Sequence, residues 1–349
     1  MNAASPATPP VGQRRGPARD AAGVPAVRTG SPASRVFGLT AAAAVVLAAS
    51  MPLWVGPDPI RTLTEFASLV ALAQMWNLLA GYAGLVSIGQ QAFIGLGAYG
   101  LVVFADRMGL PVVAAVPLSA LVAAAVAVPI GRLVFRLRGG YFAIGTWVVA
   151  EVARLLVVNV RAVGGGSGTT VRAAAAIPAG LRQSLAFWLG LTLAVGATML
   201  VRGILRSRLG LALTAIRDSE AGAASLGVDV ARAQRTVWVL AAAGCGAAGA
   251  VLYLNLLRVQ PNAAFSVNWT AFMIFIVLIG GVGTIEGPII GSVVFLLLQE
   301  TLADFGAAYL VVLGIVAVVV TIRAPGGLWG LVAAHRRVDL FAVRRRLEP

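Results

Sequence analysis

The chain has 349 residues, 59% of them hydrophobic and only 11% charged, with a mean hydropathy of +0.90 and a formal net charge of +14. A soluble globule carries about 25% charge to wet its surface, so a soluble enzyme, a nucleic-acid module and a disordered scaffold are all excluded. The expected class is an all-α polytopic membrane bundle of about 8–10 transmembrane helices, at about 20 residues per crossing. All 27 basic residues are arginine, which makes the lysine-dependent phosphate loop of an ATPase impossible. The single histidine, His335, and the single cysteine, Cys245, leave no multi-histidine metal site, no Ser-His-Asp triad and no intrachain disulfide. The chain is therefore expected to be no enzyme, with no catalytic residue, metal or cofactor of its own.

Residues 1–36 are rich in proline and arginine and read as a disordered basic tail. Arg14 and Arg15 stand about twenty polar residues before the first apolar run, too far for a twin-arginine signal. Ten apolar runs follow, at 37–55, 63–80, 85–105, 112–130, 141–158, 184–201, 237–257, 269–279, 289–303 and 308–322. They are continuous rather than alternating, so they are helices and not barrel strands. With ten crossings and a cytoplasmic N-terminus, 20 of the 27 arginines fall on the cytoplasmic side, as positive-inside topology requires. Both termini are then cytoplasmic, with a transmembrane domain at 37–323 and a second basic tail at 324–349. The positive charge reflects topology and attraction to anionic lipid rather than a nucleic-acid footprint. A re-entrant segment at 81–99 would change the count.

Two stretches interrupt the apolar helices. The first runs through Gly81, Gly84, Ser87, Gly89, Gln90 and Gln91 to Gly95 and Tyr99. If it is helical, Ser87, Gln91, Gly95 and Tyr99 share a face, a stripe suited to a polar pathway or to a tight helix contact. Gln90 is rotated from Gln91 by about 100°, which favours Gln91 for a pathway. The second stretch is Gly280-Gly281-Val282-Gly283-Thr284-Ile285-Glu286-Gly287-Pro288. Its glycines end one helix and Pro288 starts the next, with Glu286 either capping that helix or acting in a gate. Glu151 and Arg154 are three residues apart within a span and are expected to form a buried ion pair. Cys245 is expected to pack between helices.

The longest inner loop, 202–235, contains Arg217, Asp218, Ser219, Glu220 and Gly227. Ser219 is an N-cap, Glu220 complements the positive helix end and Gly227 is a stop. A helix of about two turns is too short to stand alone in water, so it is expected to dock on a partner.

Taken in order, these motifs resemble the permease subunits of branched-chain amino acid ABC importers, the LivM-like type. The resemblance is carried by the Gly-Tyr-Ala-Gly-x-x-Ser-x-Gly run at 81–89, which continues to Tyr99, and by Arg138-Gly139-Gly140-Tyr141-Phe142-Ala143-Ile144. The glycine-rich 164–168 loop, Ala215-Ile216-Arg217-Asp218 and the 280–288 turn add to it. It implies a bacterial cytoplasmic-membrane subunit that pairs with a homologous second permease. It further implies two cytoplasmic ATPases that hold ATP-Mg and an external solute-binding protein. Residues 217–220 and 227 would couple to an ATPase. Ser87, Gln90, Gln91 and Tyr99, with Gly81, Gly84 and Gly89, would border the solute path. Residues 280–288 would gate it. Urea, short-amide and sugar permeases share parts of this pattern. An ion-coupled transporter using Glu151, Arg154 or Glu286, or a passive channel, is the alternative.

Overall fold

The computed structural model describes residues 27–28, 32–302, 305–306, 308–336, 341 and 346–347. Most of the expected N-terminal tail lies outside the described residues. Helix α1 spans Pro32–Ser50, α2 Pro57–Asn77, α3 Gln91–Leu101, α4 Val112–Val134 and α5 Gly140–Val158. A short α6 (Arg172–Ala175) leads to α7 (Ala179–Arg206), α8 (Arg208–Asp218), α9 (Glu220–Ser225) and α10 (Val230–Leu256). The chain closes with α11 (Pro261–Ala264), α12 (Val267–Gly280), α13 (Glu286–Leu302), α14 (Ala308–Arg323) and α15 (Gly327–Arg336). Strands are two residues long: Val27–Arg28 pairs with Arg346–Leu347, and Thr169–Thr170 with Arg258–Val259, both antiparallel.

Among the described residues, seven helical stretches are long and apolar enough to cross a membrane: Pro57–Tyr82, Val112–Val134, Gly140–Val158, Ala179–Arg206, Val230–Leu256, Pro261–Gly280 and Ala308–Ala333. The other three expected spans are helical but shorter. They are Gly38–Leu53, which joins the apolar part of α1 to a 3-10 turn at Met51–Leu53, α3 with its π-helical end Val102–Arg107, and the 17-residue α13. The expected span at 85–105 needs correction, because its first six residues are not helical.

Sequence explains the local boundaries. Pro57 opens α2 with Asp58 in its first turn, where a fixed φ and a negative charge both suit a helix start. Lipid is as apolar as leucine, so helix packing here relies on close backbone approach through small residues. Gly97 of α3 meets the backbone of Gly246 in α10, Gly249 of α10 meets the backbone of Ile94, and Gly190 of α7 rests on Ala67 of α2. Helices α2 and α10 thereby become the bundle's centre, 78% buried along their apolar windows, against 17% for α5 and 11% for α14–α15.

Candidate functional site

The first glycine-rich stretch is a broken helix. Helix α2 ends in a π-helical turn, Leu78–Tyr82. The chain then leaves helical geometry at Gly84, whose φ is +68°, and runs irregularly to Gln90 before α3 begins. Irregular backbone at membrane depth survives only when protein or water meets its polar groups, and here protein meets them. Trp76 of α2 donates its Nε1 proton to the Ser87 carbonyl at 2.9 Å. The Ile88 amide donates to Thr146 Oγ1 of α5 at 3.1 Å. Ser87 Oγ accepts from the Gly89 amide at 3.2 Å and from Gln90 Nε2 at 3.3 Å. Gln90 Oε1 accepts from the Cys245 thiol of α10 at 3.5 Å, and Gln91 Oε1 accepts from the Thr270 hydroxyl of α12. A side chain at Gly89 would strike the Thr146 backbone, so that close approach requires glycine.

This overturns the expected four-residue stripe. Ser87 is not on the helix, and only Gln91, Gly95 and Tyr99 share a face of α3. Gly95 accepts the ring of Phe265, on which Tyr99 stacks at 6.1 Å and 24°. The Tyr99 hydroxyl is buried and makes no hydrogen bond among the described residues. Gln90 and Gln91 are both buried, so both amides face protein.

The second stretch is also a break, and it lies against the first. Helix α12 ends at Gly280, Gly281 (φ +131°) and Gly283 (φ +72°) turn the chain, and α13 starts at Glu286 with Pro288 in its first turn. Thr284 Oγ1 donates to the Gly281 carbonyl at 2.8 Å and accepts from the Gly287 amide at 3.0 Å. Helix α2 supplies the rest. Asn77 Nδ2 donates to the Thr284 carbonyl at 2.8 Å, while Asn77 Oδ1 accepts from the Gly283 amide at 2.9 Å. Gln74 Nε2 donates to the Ile285 carbonyl at 2.8 Å. Gly81 lies so near that an added Cβ would stand 2.7 Å from the Gly283 nitrogen.

The inner loop reaches this junction. Residues 202–235 are mostly helix rather than linker: the end of α7, then α8, α9 and the start of α10. Ser219 caps α9 by accepting from the Gly222 amide at 3.1 Å, and Gly227 takes a left-handed φ of +83°, both as expected. Asp218 sits beside Arg217 at 3.6 Å, and Glu220 opens α9 exposed to solvent. Arg217 Nη1 donates to the Gly81 carbonyl at 3.3 Å and would be 3.0 Å from a Cβ placed on Gly283. One side chain of the loop therefore touches both breaks.

Glu151 and Arg154 do pair, at 3.0 Å between Arg154 Nε and either carboxylate oxygen. Glu151 is exposed and Arg154 half-buried rather than both buried, with Arg154 Nη1 also donating to Asn262 Oδ1 of α11 at 2.7 Å. Cys245 is buried, as expected of a packing residue. Sequence reasoning gave no role to Gln74, Asn77, Thr146 and Thr270, each in a membrane-spanning helix. The i, i+3 pairing of two amides in α2 was the available signal, since a lone helix in lipid cannot satisfy them.

A family model described as branched-chain amino acid transport system / permease component matches residues 59–321. The chain is 28% identical over 312 residues to the high-affinity branched-chain amino acid transport system permease protein LivM of Salmonella typhimurium, covering 82% of this chain and 73% of that one. The protein of the same name from Escherichia coli is 28% identical over 314 residues, with the same coverage. A probable branched-chain amino acid transport permease protein LivM of Methanocaldococcus jannaschii is 24% identical over 169 residues, 48% of this chain and 49% of that one. No solved structure matches the chain.

Proposed function

Because the chain belongs to the branched-chain amino acid transport system permease family, we propose that it is the membrane subunit of an ATP-driven importer of branched-chain amino acids or a related small polar solute. The observation that carries this reading is Arg217, which ties the α8–α9 loop to the carbonyl of Gly81 and to the turn at Gly283. The chain has no lysine and hence no phosphate loop of its own. Energy must therefore arrive from outside, and a loop seated on two helix breaks is a place to receive it. In this reading two cytoplasmic ATPases holding ATP-Mg press on residues 217–220 and 227. The chain pairs with a homologous permease in a bacterial cytoplasmic membrane, its termini face the cytoplasm, and an external binding protein delivers solute.

Movement of α8 and α9 would pull on Gly81 and Gly84 and shift the 84–90 segment. Ser87, Gln90, Gln91 and Tyr99 border the solute path, opening through the exchange of the Thr270, Cys245 and Ser87 hydrogen bonds for bonds to water or solute. Residues 280–288 act as the gate that moves with α2. Rocking around a site flanked by discontinuous helices is the general behaviour of such bundles.

The test is reconstituted uptake. The purified chain alone should neither hydrolyse ATP nor accumulate solute, whereas the complete complex should do both. Glu220→Ala removes a favourable charge at a helix start, worth about 0.3–1 kcal/mol. Gly227→Val strains the left-handed stop by about 1–2 kcal/mol. Each should lower ATPase stimulation while leaving membrane insertion intact. Uphill uptake by the chain alone, driven by an ion gradient, would refute the reading and favour Glu151, exposed at membrane depth, as a coupling charge.

A further inference from the structure

Where α4 ends and α10 begins, the two helices flank an open cavity of about 570 Å³. Its wall changes character along both helices at the same level. On α4, Val128 is followed one turn later by Arg132; on α10, Arg232 and Arg235 are followed by Val239. The floor is Trp238, which is buried and whose Nε1 proton is already donated to the Ala127 carbonyl at 2.9 Å, so it offers only an apolar ring. Gly131 keeps the slot open, since an added Cβ would come within 3.2 Å of that ring.

The charged rim is unbalanced. It carries three guanidinium groups against one carboxylate, Asp229. One oxygen of Asp229 accepts from the Arg232 backbone amide at 2.9 Å, capping α10. Among the described residues, none of the three arginine side chains forms an ion pair or hydrogen bond. Both helices are membrane-spanning, so the step from apolar to arginine lies where hydrocarbon gives way to headgroups. Guanidinium forks bind phosphate in a bidentate manner, and basic pockets between transmembrane helices suit anionic headgroups.

We propose that this cavity is a binding site for one anionic phospholipid, its phosphate held by Arg132, Arg232 and Arg235 and its acyl chain laid past Val128 and Val239 towards Trp238. The site is independent of the solute path and of the direction in which the chain is inserted. Arginines gathered at one membrane face attract anionic lipid in any case. What distinguishes this site is selective retention by three of them around an apolar slot.

The test is native mass spectrometry of the full chain released from nanodiscs of mixed phosphatidylglycerol and phosphatidylcholine. The wild type should retain one phosphatidylglycerol in preference to phosphatidylcholine. Each of R132Q, R232Q and R235Q should weaken retention by about fivefold, and the triple variant by about a hundredfold. R206Q/R208Q, which removes two exposed arginines outside the cavity, should change retention by less than about twofold. Val128→Trp, which fills the slot without altering charge, should also expel the lipid and serves if the triple variant does not fold. Retention unchanged in the triple variant or in Val128→Trp would overturn the proposal. So would equal loss in R206Q/R208Q, which would mean diffuse surface attraction, or displacement by soluble glycerol phosphate, which would mean a phosphate site with no use for the acyl chain.

Discussion

The break after α2 and the break after α12 are both glycine-rich, yet different neighbours satisfy their backbones. The second takes side-chain hydrogen bonds from its own Thr284 and from Gln74 and Asn77 of α2, and the backbone at Gly326 and Gly327 packs against Gly281. Its side-chain clamp is therefore concentrated on one helix, α2. The first draws one side-chain hydrogen bond each from α2, α5 and α10, and Gln91 just after it accepts one from α12. Movement of α2, α5 or α10 relative to the 84–90 segment strains one of those bonds. Glycine content marks where a helix can break; the ownership of the hydrogen bonds separates a rigid turn from a segment that can rearrange.

The largest effect is expected from Asn77→Leu. It leaves the Thr284 carbonyl and the Gly283 amide without their partner, and unpaired buried polar groups cost about 1–3 kcal/mol each. The thermal midpoint of the purified chain should fall by several degrees, and protease access should appear at 281–285. A midpoint within error of wild type would show that the turn holds itself and is not clamped by α2.

Gln91→Leu should have an intermediate effect of a different kind. It removes the acceptor for the Thr270 hydroxyl, a net loss of about 1 kcal/mol in stability, while uptake by the reconstituted complex falls about tenfold or more for a site contact worth about 1.4 kcal/mol. Basal ATPase activity should be unchanged. If uptake persists and only stability drops, Gln91 is a packing residue and the solute path lies elsewhere.

The smallest effect belongs to Thr146→Val, which keeps the side-chain shape and removes the single bond from α5 to the Ile88 amide. The expected cost is about 1 kcal/mol. Hydrogen exchange should speed up at residue 88 and stay unchanged at 281–285. Equal acceleration in both breaks would mean that they move as one unit.

Much of this arrangement was legible beforehand. Continuous apolar runs and low charge specify an α-helical membrane bundle because no other structure satisfies its backbone in lipid. Ser219, Glu220 and Gly227 announced a short capped helix, and the glycines at 280–283 announced a turn, because caps and left-handed φ values are local matters. Helical spacing misled at Ser87. A period counted through 87–99 assumes an unbroken helix, while Trp76 and Thr146, from two other elements, hold irregular backbone in its place. Glu151 and Arg154 paired as their spacing of three predicts, but spacing is silent on burial, and α5 leaves Glu151 exposed and Arg154 half-buried.

Composition and local pattern thus settled the class of molecule, the sites at which its helices could break and the shape of its inner loop, since each depends on residues within a turn or two of one another. That the two breaks meet, that Asn77 serves a turn more than two hundred residues away and that Arg217 reaches both of them was decided by helix packing. An amide in an apolar helix states only that it needs a partner. Which backbone supplies that partner depends on the helix brought alongside, and small residues far apart in the chain make that choice.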